Sequence, residues 1–324
     1  MNEKIIILNT GGTIAMESDE LSSAVKPGIH QPLHALINRL KQYAPVEMQD
    51  LYNLPSPHIT PQRMKELSQT VHHLSEDEQV QGIVITHGTD TLEETAFLLD
   101  LTLTTDKPVI VTGAMRSNNE LGADGPINLL ESVRTATHKK SWNRGTLIVF
   151  NNEIHAARYV TKTHTSSVAT FKSPSTGPIG SITKRDISYF QSPFRQEVYQ
   201  IQGNHHNVPL VKLVAGFDPS WLEFFLNQPI QGIVLEAFGA GNVPPAILPA
   251  INQFIKKNIP VVMVSRCYNG YVQDLYDYEG GGNQLKKMGV IFCNGLNGQK
   301  ARIKLLVLLD AQIKIEDYSP HFSF

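Results

Sequence analysis

The 324-residue chain has little cysteine and almost no net charge, and both shortages exclude whole classes of protein. Cys267 and Cys293 are too few for a disulfide framework, so a reducing compartment suits the chain, and we expect both to be buried structural thiols. The net charge of −2 at pH 7, without a basic stripe, argues against binding to nucleic acid or to an anionic membrane. A small-molecule substrate fits this charge better.

Long apolar runs are also missing. No stretch approaches the roughly 18 apolar residues that a membrane-spanning helix needs. The run at residues 5–8 is too short for the core of a signal peptide and leads directly into a glycine turn. We therefore expect a cytoplasmic protein that does not engage a membrane and whose first strand lies at its N-terminus.

What the chain does contain is a regular alternation of short apolar runs with amphipathic segments. Strands are predicted at 5–8, 46–51, 82–86, 109–111 and 146–150. Helices are predicted at 32–43, 92–103 and 126–139, and after Thr60, where threonine caps the helix and Pro61 takes its first position. This alternation is typical of an α/β fold with a doubly wound, mostly parallel sheet.

A second, smaller α/β domain is predicted after a break in this pattern. Between 191 and 208 periodicity is lost and Ser, Pro, Gln, Asn and His dominate, which indicates a linker between domains 1–190 and 209–324. The later segment predicts strands at 210–214, 233–237 and 261–265 and helices at 219–225, 244–257 and 299–309. Three consecutive glycines, 280–282, are expected to form a flexible connector.

Two hydroxyl-rich turns follow predicted strands, Asn-Thr-Gly-Gly-Thr-Ile-Ala at 9–15 and Thr-His-Gly-Thr-Asp-Thr at 86–91. Ligands of parallel α/β sheets bind beyond the carboxyl ends of the strands. Glycine lets the backbone approach a ligand, and free N–H groups can hold a carboxylate or an oxyanion. Each turn alone is also typical of an ordinary helix cap. Two such turns on one sheet, however, could face each other across one pocket.

Both turns resemble signature motifs of a known protein family. Thr-Gly-Gly-Thr-Ile at 10–14 and His-Gly-Thr-Asp-Thr at 87–91 resemble the two signatures of the bacterial-type asparaginase/glutaminase family. Further similarity follows at 160–165, 169–173 and 295–302, so that the resemblance covers nearly the whole chain. It implies hydrolysis of the side-chain amide of L-asparagine to aspartate and ammonia, without a cofactor or a metal.

The resemblance also implies catalytic roles. Thr13 would be the nucleophile that forms a β-aspartyl-enzyme ester, since a hydroxyl can attack an amide once its proton is taken up. Thr89, Asp90 and Lys162 would form a second group, in which Lys162 favours loss of the Thr89 proton or acts as a base. Asp90 would hold the lysine and accept from the α-ammonium of the substrate. Backbone N–H groups near Thr89 would stabilise the oxyanion.

Four further residues are expected to bind the substrate. Ser56 matches the serine with which the family holds the α-carboxylate, although Pro57 after it departs from the usual pattern. Gly12 and Gly88 lie within the two signature turns. Asn242 resembles an asparagine that reaches the active site of a neighbouring subunit, which implies a homodimer or a homotetramer.

The loop after the first signature departs from the family. Residues 16–28 are charged and poor in apolar anchors, so we expect a mobile lid there, but they contain no tyrosine. The family commonly has a tyrosine in this loop, where it assists the nucleophile. Either another residue takes this role or activity is weaker. His87 is expected to be a structural hydrogen-bonding residue rather than a base.

Alternative functions remain open at this stage. One methylene distinguishes glutamine from asparagine and is worth only about 1–3 kcal/mol, so a dual asparaginase/glutaminase fits equally well. A non-catalytic sensor of asparagine or aspartate would explain the missing tyrosine. The asparaginase-like subunit of a tRNA-dependent amidotransferase is disfavoured, because that subunit usually carries a segment before the first strand, whereas this sequence starts directly at the strand.

The histidine pairs at 72–73 and 205–206 lack a third ligand at a suitable spacing and predict no metal site.

Overall fold

The structure, a computed structural model, describes residues 3–18, 25–27, 36–193 and 198–323, and only the backbone of residues 18 and 25–27. The chain divides into two compact units, Met1–Val198 and Tyr199–Phe324. The boundary between these units lies within the predicted linker, whose limits of 191 and 208 stay a prediction.

The first unit is built around one large sheet. Its described strands are β1 (Lys4–Gly11), β2 (Met16–Ser18), β3 (Val25–Pro27), β4 (Val46–Leu54), β5 (Val80–Thr86), β6 (Val109–Thr112), β7 (Thr146–Phe150), β8 (Glu153–Ala156), β9 (Thr161–Lys162), β10 (Phe171–Lys172), β11 (Gly180–Ile182) and β12 (Ile187–Tyr189). Its described helices are α1 (Ile37–Leu40), α2 (Pro61–Glu76), α3 (Leu92–Thr102) and α4 (Gly125–Thr137).

The large sheet has eight strands in the order β12-β11-β8-β7-β6-β5-β1-β4. Strands β4, β1, β5, β6 and β7 run parallel, whereas β8, β11 and β12 join by antiparallel pairing. The predicted mostly parallel α/β fold is therefore confirmed.

Strand β1 shows why this sheet is buried on both faces. Ile5, Ile6, Ile7 and Leu8 are at most 1% exposed. Successive side chains of a strand point to opposite faces. Ile5 and Ile7 accordingly pack into one hydrophobic cluster, and Ile6 and Leu8 pack into another. A continuous apolar run is what a parallel strand between two layers requires.

Several predicted helices are confirmed, and one falls partly outside the described residues. Helix α2 begins at Pro61, and Thr60 caps it by accepting a hydrogen bond from Arg63 N at 3.4 Å. Of the helix predicted at 32–43, residues 32–35 lie outside the described part of the chain, and only the single turn α1 is observed in the rest.

The expected lid is only partly described. Its ends form the antiparallel pair β2–β3, while residues 19–24 and 28 lie outside the described part of the chain. Its mobility therefore stays a prediction.

Strands β8 to β12 were not predicted from the sequence. They are two to four residues long and carry polar residues, so they show neither an apolar run nor a clear alternation. They pair first with the neighbouring strand in the chain, as β7–β8, β9–β10 and β11–β12, and the pairing of Gly180 with Ile154 of β8 then joins β11 and β12 to the large sheet.

The second unit contains a four-stranded parallel sheet in the order β13-β14-β15-β16. Its strands are β13 (Leu210–Lys212), β14 (Ile233–Ala237), β15 (Val261–Ser265) and β16 (Ile291–Phe292). Its described helices are α5 (Ser220–Leu226), α6 (Leu248–Lys256), α7 (Gly282–Met288), α8 (Gly298–Asp310) and α9 (Tyr318–His321). The smaller α/β domain is confirmed, whereas β16, α7 and α9 were not predicted.

Two smaller predictions for this unit are wrong. The glycines 280–282 do not form a flexible connector, because Gly282 is buried and begins α7, where an added Cβ would lie 2.2 Å from Gln273 O. Cys293 is buried as predicted, but Cys267 is exposed. Within the described part of the chain, no helix has the length and apolar character to cross a membrane.

Candidate active site

The two signature turns begin side by side at one edge of the large sheet. Strands β1 and β5 are parallel neighbours, and Asn9 pairs with Thr86 in their register. Thr10 Oγ1 donates to Thr86 O at 2.7 Å, and Thr86 Oγ1 donates to Asn9 Oδ1 at 2.9 Å. Thr10 is 1% exposed, so its hydroxyl fastens the two strand ends and does not face a substrate.

Glycine brings the backbones of the two turns into contact. Gly12 has φ +84°, and an added Cβ there would lie 2.3 Å from Gly88 N. An added Cβ at Gly88 would lie 2.7 Å from Ser56 Cβ. Thr13 and Thr89 each follow one of these glycines, and consecutive Cα atoms are about 3.8 Å apart. The half-buried Thr13 therefore begins its short 3₁₀ turn, Thr13–Ala15, beside the Thr89 turn.

Lys162 joins this cluster from strand β9. Its Nζ donates to Thr89 Oγ1 at 2.9 Å and to Asp90 Oδ1 at 2.8 Å. The side chain of Lys162 is 16% exposed and that of Asp90 is 60% exposed. The amine of Lys162 therefore lies where it can stabilise negative charge on the Thr89 hydroxyl, while the open side of Asp90 can receive a cationic group from solvent.

Ser56 lies directly against the second turn. It is 3% exposed, and its Oγ accepts from Asp90 N at 3.1 Å, so its O–H can still donate to a ligand. Thr91 Oγ1 donates to Ser56 O at 2.8 Å. Thr91 had no predicted role of its own, but this hydrogen bond fastens the Ser56 segment to the signature turn.

His87 uses both ring nitrogens in structural contacts, as predicted. It is fully buried; Nδ1 lies 2.8 Å from Gly88 O and Nε2 lies 2.9 Å from Thr95 Oγ1. Since a carbonyl oxygen only accepts, Nδ1 carries the proton and Nε2 accepts from threonine. Burial lowers the pKa of His87 from 6.5 to about 4, so the imidazole stays neutral near pH 7.

A third strand end borders the site, and sequence reasoning missed it. Strand β6 lies beside β5 and ends at Thr112, and an added Cβ at Gly113 would lie 2.4 Å from His87 O. Asp124 holds the following loop by accepting from Met115 N at 3.0 Å and from Arg116 N at 2.9 Å. The signal was present in the sequence, because Thr112-Gly113 after an apolar strand repeats the pattern of the other two turns.

Asn242 belongs to the second unit. It closes a tight turn in which Phe238 and Asn242 exchange backbone hydrogen bonds at 3.0 Å. Its side-chain oxygen is buried and has no hydrogen-bond partner among the described residues. Its expected role in a neighbouring active site stays a proposal.

Comparison with known proteins agrees with this geometry. Residues 4–195 match the family model "Asparaginase, N-terminal", and residues 207–322 match "Glutaminase/Asparaginase C-terminal domain". An L-asparaginase of Bacillus licheniformis is 36% identical over 95% of this chain and 96% of its own length. L-asparaginase 2 of Escherichia coli strain K12 is 35% identical over 94% of this chain and 88% of its own length.

A solved structure of similar fold also covers nearly the whole chain. The crystal structure of a probable cytoplasmic L-asparaginase from Campylobacter jejuni matches with a TM-score of 0.90 and 28% identity, covering 99% of both chains. Two family models that together span most of the chain, and relatives above 30% identity over nearly its whole length, show that this chain belongs to the asparaginase family.

Proposed function

We propose that this chain hydrolyses L-asparagine to L-aspartate and ammonia. The observation that carries the proposal is the placement of Lys162 Nζ within 2.9 Å of Thr89 Oγ1 and 2.8 Å of Asp90 Oδ1, beside the turn that holds Thr13. The relatives named L-asparaginase support this substrate.

Thr13 is the nucleophile in this proposal. Its Oγ attacks the side-chain amide carbon, its proton passes to the leaving nitrogen, and ammonia departs from a β-aspartyl ester. Water then attacks the ester carbon, the Thr13 oxygen leaves and regains a proton, and aspartate is released. The contact between Gly12 and Gly88 supports the assignment, since it brings the Thr13 turn to the Lys162 cluster.

The neighbouring groups divide the remaining tasks. Thr89 and Lys162 relay protons, and the amine of Lys162 stabilises negative charge on the Thr89 hydroxyl beside the Thr13 turn. Asp90 receives the α-ammonium of the substrate, and Ser56 donates to its α-carboxylate. Backbone N–H groups near Thr89 are the oxyanion donors in this proposal.

The organisation of the protein follows from the same proposal. The active site lies in the predicted domain 1–190. Residues 191–208 are the linker, and residues 209–324 form a supporting domain. Asn242 of a second copy completes the site in a homodimer or homotetramer. Cytoplasmic localisation is supported by the similar Campylobacter jejuni protein, which is described as a probable cytoplasmic L-asparaginase.

The test is ammonia release from L-asparagine by the purified protein, with L-glutamine in parallel and Thr13→Ala as the control. Release from asparagine that is lost in the variant is the expected result. Equal release from both amides would make the protein a dual asparaginase/glutaminase. If neither amide were hydrolysed while asparagine still raised the melting temperature, the chain would be a sensor and the proposal would be wrong.

A further inference from the structure

A buried carboxylate that none of these steps uses lies next to the Lys162 cluster. Glu93 is 4% exposed and occupies the first turn of helix α3, two residues after Thr91. Removing a carboxylate from water costs free energy unless hydrogen bonds replace the water. The groups that donate hydrogen bonds to Glu93 therefore show what its carboxylate does in the fold.

Glu93 holds the strand that carries Lys162. Its Oε1 accepts from Thr161 Oγ1 at 2.9 Å and from Lys162 N at 3.3 Å. Strand β9 consists of these two residues, and its partner in the two-stranded sheet is β10, another strand of two residues. So short a pair has few ladder hydrogen bonds of its own. The carboxylate adds to this pair an attachment to the first turn of helix α3.

These contacts attach Lys162 twice to one segment of chain. Its Nζ reaches Thr89 and Asp90, and its backbone N–H reaches Glu93, three residues after Asp90. Helix α3 begins at Leu92, so the segment between these attachment points is a turn that leads into a helix. With both ends of the lysine fixed to this segment, Nζ has little freedom to leave Thr89.

We propose that Glu93 is a positioning residue for Lys162, acting through the Thr161 hydroxyl and the Lys162 N–H. Its effect on rate rests on the proposed function. A displacement of about 1 Å in a reacting group can reduce the rate about 100-fold, so loss of this anchor lowers kcat. Substrate binding is expected to change little, because Thr161 and Lys162, to which Glu93 is hydrogen-bonded, are not assigned to hold the substrate.

The sharpest test exchanges Thr161. Thr161→Val removes the hydroxyl and keeps the shape of the side chain, whereas Thr161→Ser keeps the hydroxyl. We expect Thr161→Val to lower kcat about 10-fold or more with KM for asparagine within about twofold, and Thr161→Ser to restore most of the rate. Glu93→Gln keeps an acceptor but loses the charge. Its kcat is expected to lie between the values of Thr161→Val and Thr161→Ser.

Thr135→Val is the matched control. Thr135 is fully buried, and its Oγ1 donates to Glu131 O at 2.8 Å within helix α4, so the variant also loses one buried hydroxyl hydrogen bond. Its kcat is expected to stay at the parent value. An equal fall of kcat in Thr135→Val and Thr161→Val, or unchanged kcat in Thr161→Val, would overturn the proposal.

A second measurement does not depend on turnover. Competitive labelling of lysines with acetic anhydride, read by mass spectrometry, reports how firmly the Lys162 amine is held. We expect labelling of Lys162 to rise several-fold in Thr161→Val and Glu93→Gln but not in Thr161→Ser or Thr135→Val. If the parent protein released no ammonia yet showed this labelling pattern, the proposed function would fail and the positioning role would stand. Unchanged labelling in Thr161→Val would remove the positioning role.

Discussion

Lys162 Nζ donates a hydrogen bond to Thr89 Oγ1 at 2.9 Å although the two residues are 73 positions apart in the chain. The contact joins a two-residue strand to the end of β5, which lies within the large sheet. In the proposed function this contact stabilises negative charge as it develops on the Thr89 hydroxyl. Four predictions follow from this cluster and from the turns around it.

Replacing Lys162 by methionine is expected to lower kcat on the order of 1,000-fold while changing the melting temperature little. The change removes the cation beside Thr89, but the ion pair with the largely exposed Asp90 contributes little to stability. Steady-state ammonia release and thermal unfolding measure both effects. Lys172→Met is the control, since Lys172 lies on the paired strand and its Nζ contacts Glu153 at 2.7 Å instead. Near-parent kcat in Lys162→Met would refute the role given to this lysine.

Replacing Ser56 by alanine is expected to raise KM for asparagine about 10- to 100-fold, with a smaller fall in kcat. The lost hydrogen bond to a charged carboxylate is worth about 1.5–3 kcal/mol. Ser132→Ala controls for loss of a buried serine hydroxyl, because Ser132 Oγ donates to Asn128 O at 2.7 Å within helix α4. An unchanged KM would show that Ser56 holds the loop and not the substrate.

Replacing Gly12 by alanine is expected to abolish activity and lower the melting temperature. The new Cβ would lie 2.3 Å from Gly88 N, so the two signature turns have to separate. Gly177→Ala is the comparison, because Gly177 also has a positive φ, +73°, but nothing lies within 4 Å of an added Cβ. In Gly177→Ala the strain of a positive φ lowers the free energy of unfolding by about 1–2 kcal/mol, and kcat should stay at the parent value. Equal activity of both variants would mean that the close approach of the turns is not required.

The buried His87 predicts a pH dependence of stability. Its pKa is 6.5 when unfolded and about 4 when folded, so the unfolded state binds the extra proton between these values. The free energy of unfolding therefore falls as pH drops from 6.5 towards 4, by up to about 3 kcal/mol from this one group. Above pH 6.5 the contribution is constant.

Urea unfolding at pH 7 and at pH 4.5 checks this prediction in the parent protein and in His87→Gln. The stability difference between the two proteins should narrow at the lower pH, because the variant has no imidazole to protonate. His73→Gln, at a side chain that is 87% exposed, controls for the loss of a histidine. If the free energy of unfolding of the parent and of His87→Gln differed by the same amount at both pH values, protonation of His87 would not be the cause.

The sequence by itself determined the central parallel strands, most of the longer helices and the position of both signature turns. Runs such as 5–8 are apolar at every position because both faces of the sheet are covered, and Thr60-Pro61 is a local signal for the start of a helix. These signals depend on neighbours in sequence, so they can be recognised without a structure.

The tertiary structure alone decided which of these parts meet. Strands β8 to β12 are too short for periodicity, and it is the pairing of Gly180 with Ile154 that makes β11 and β12 part of the large sheet. The third strand end at Gly113 and the anchoring of Lys162 by Glu93 likewise depend on contacts between segments far apart in the chain. A sequence shows that a carboxylate follows a signature turn, but only folding shows that it is buried and which strand it holds.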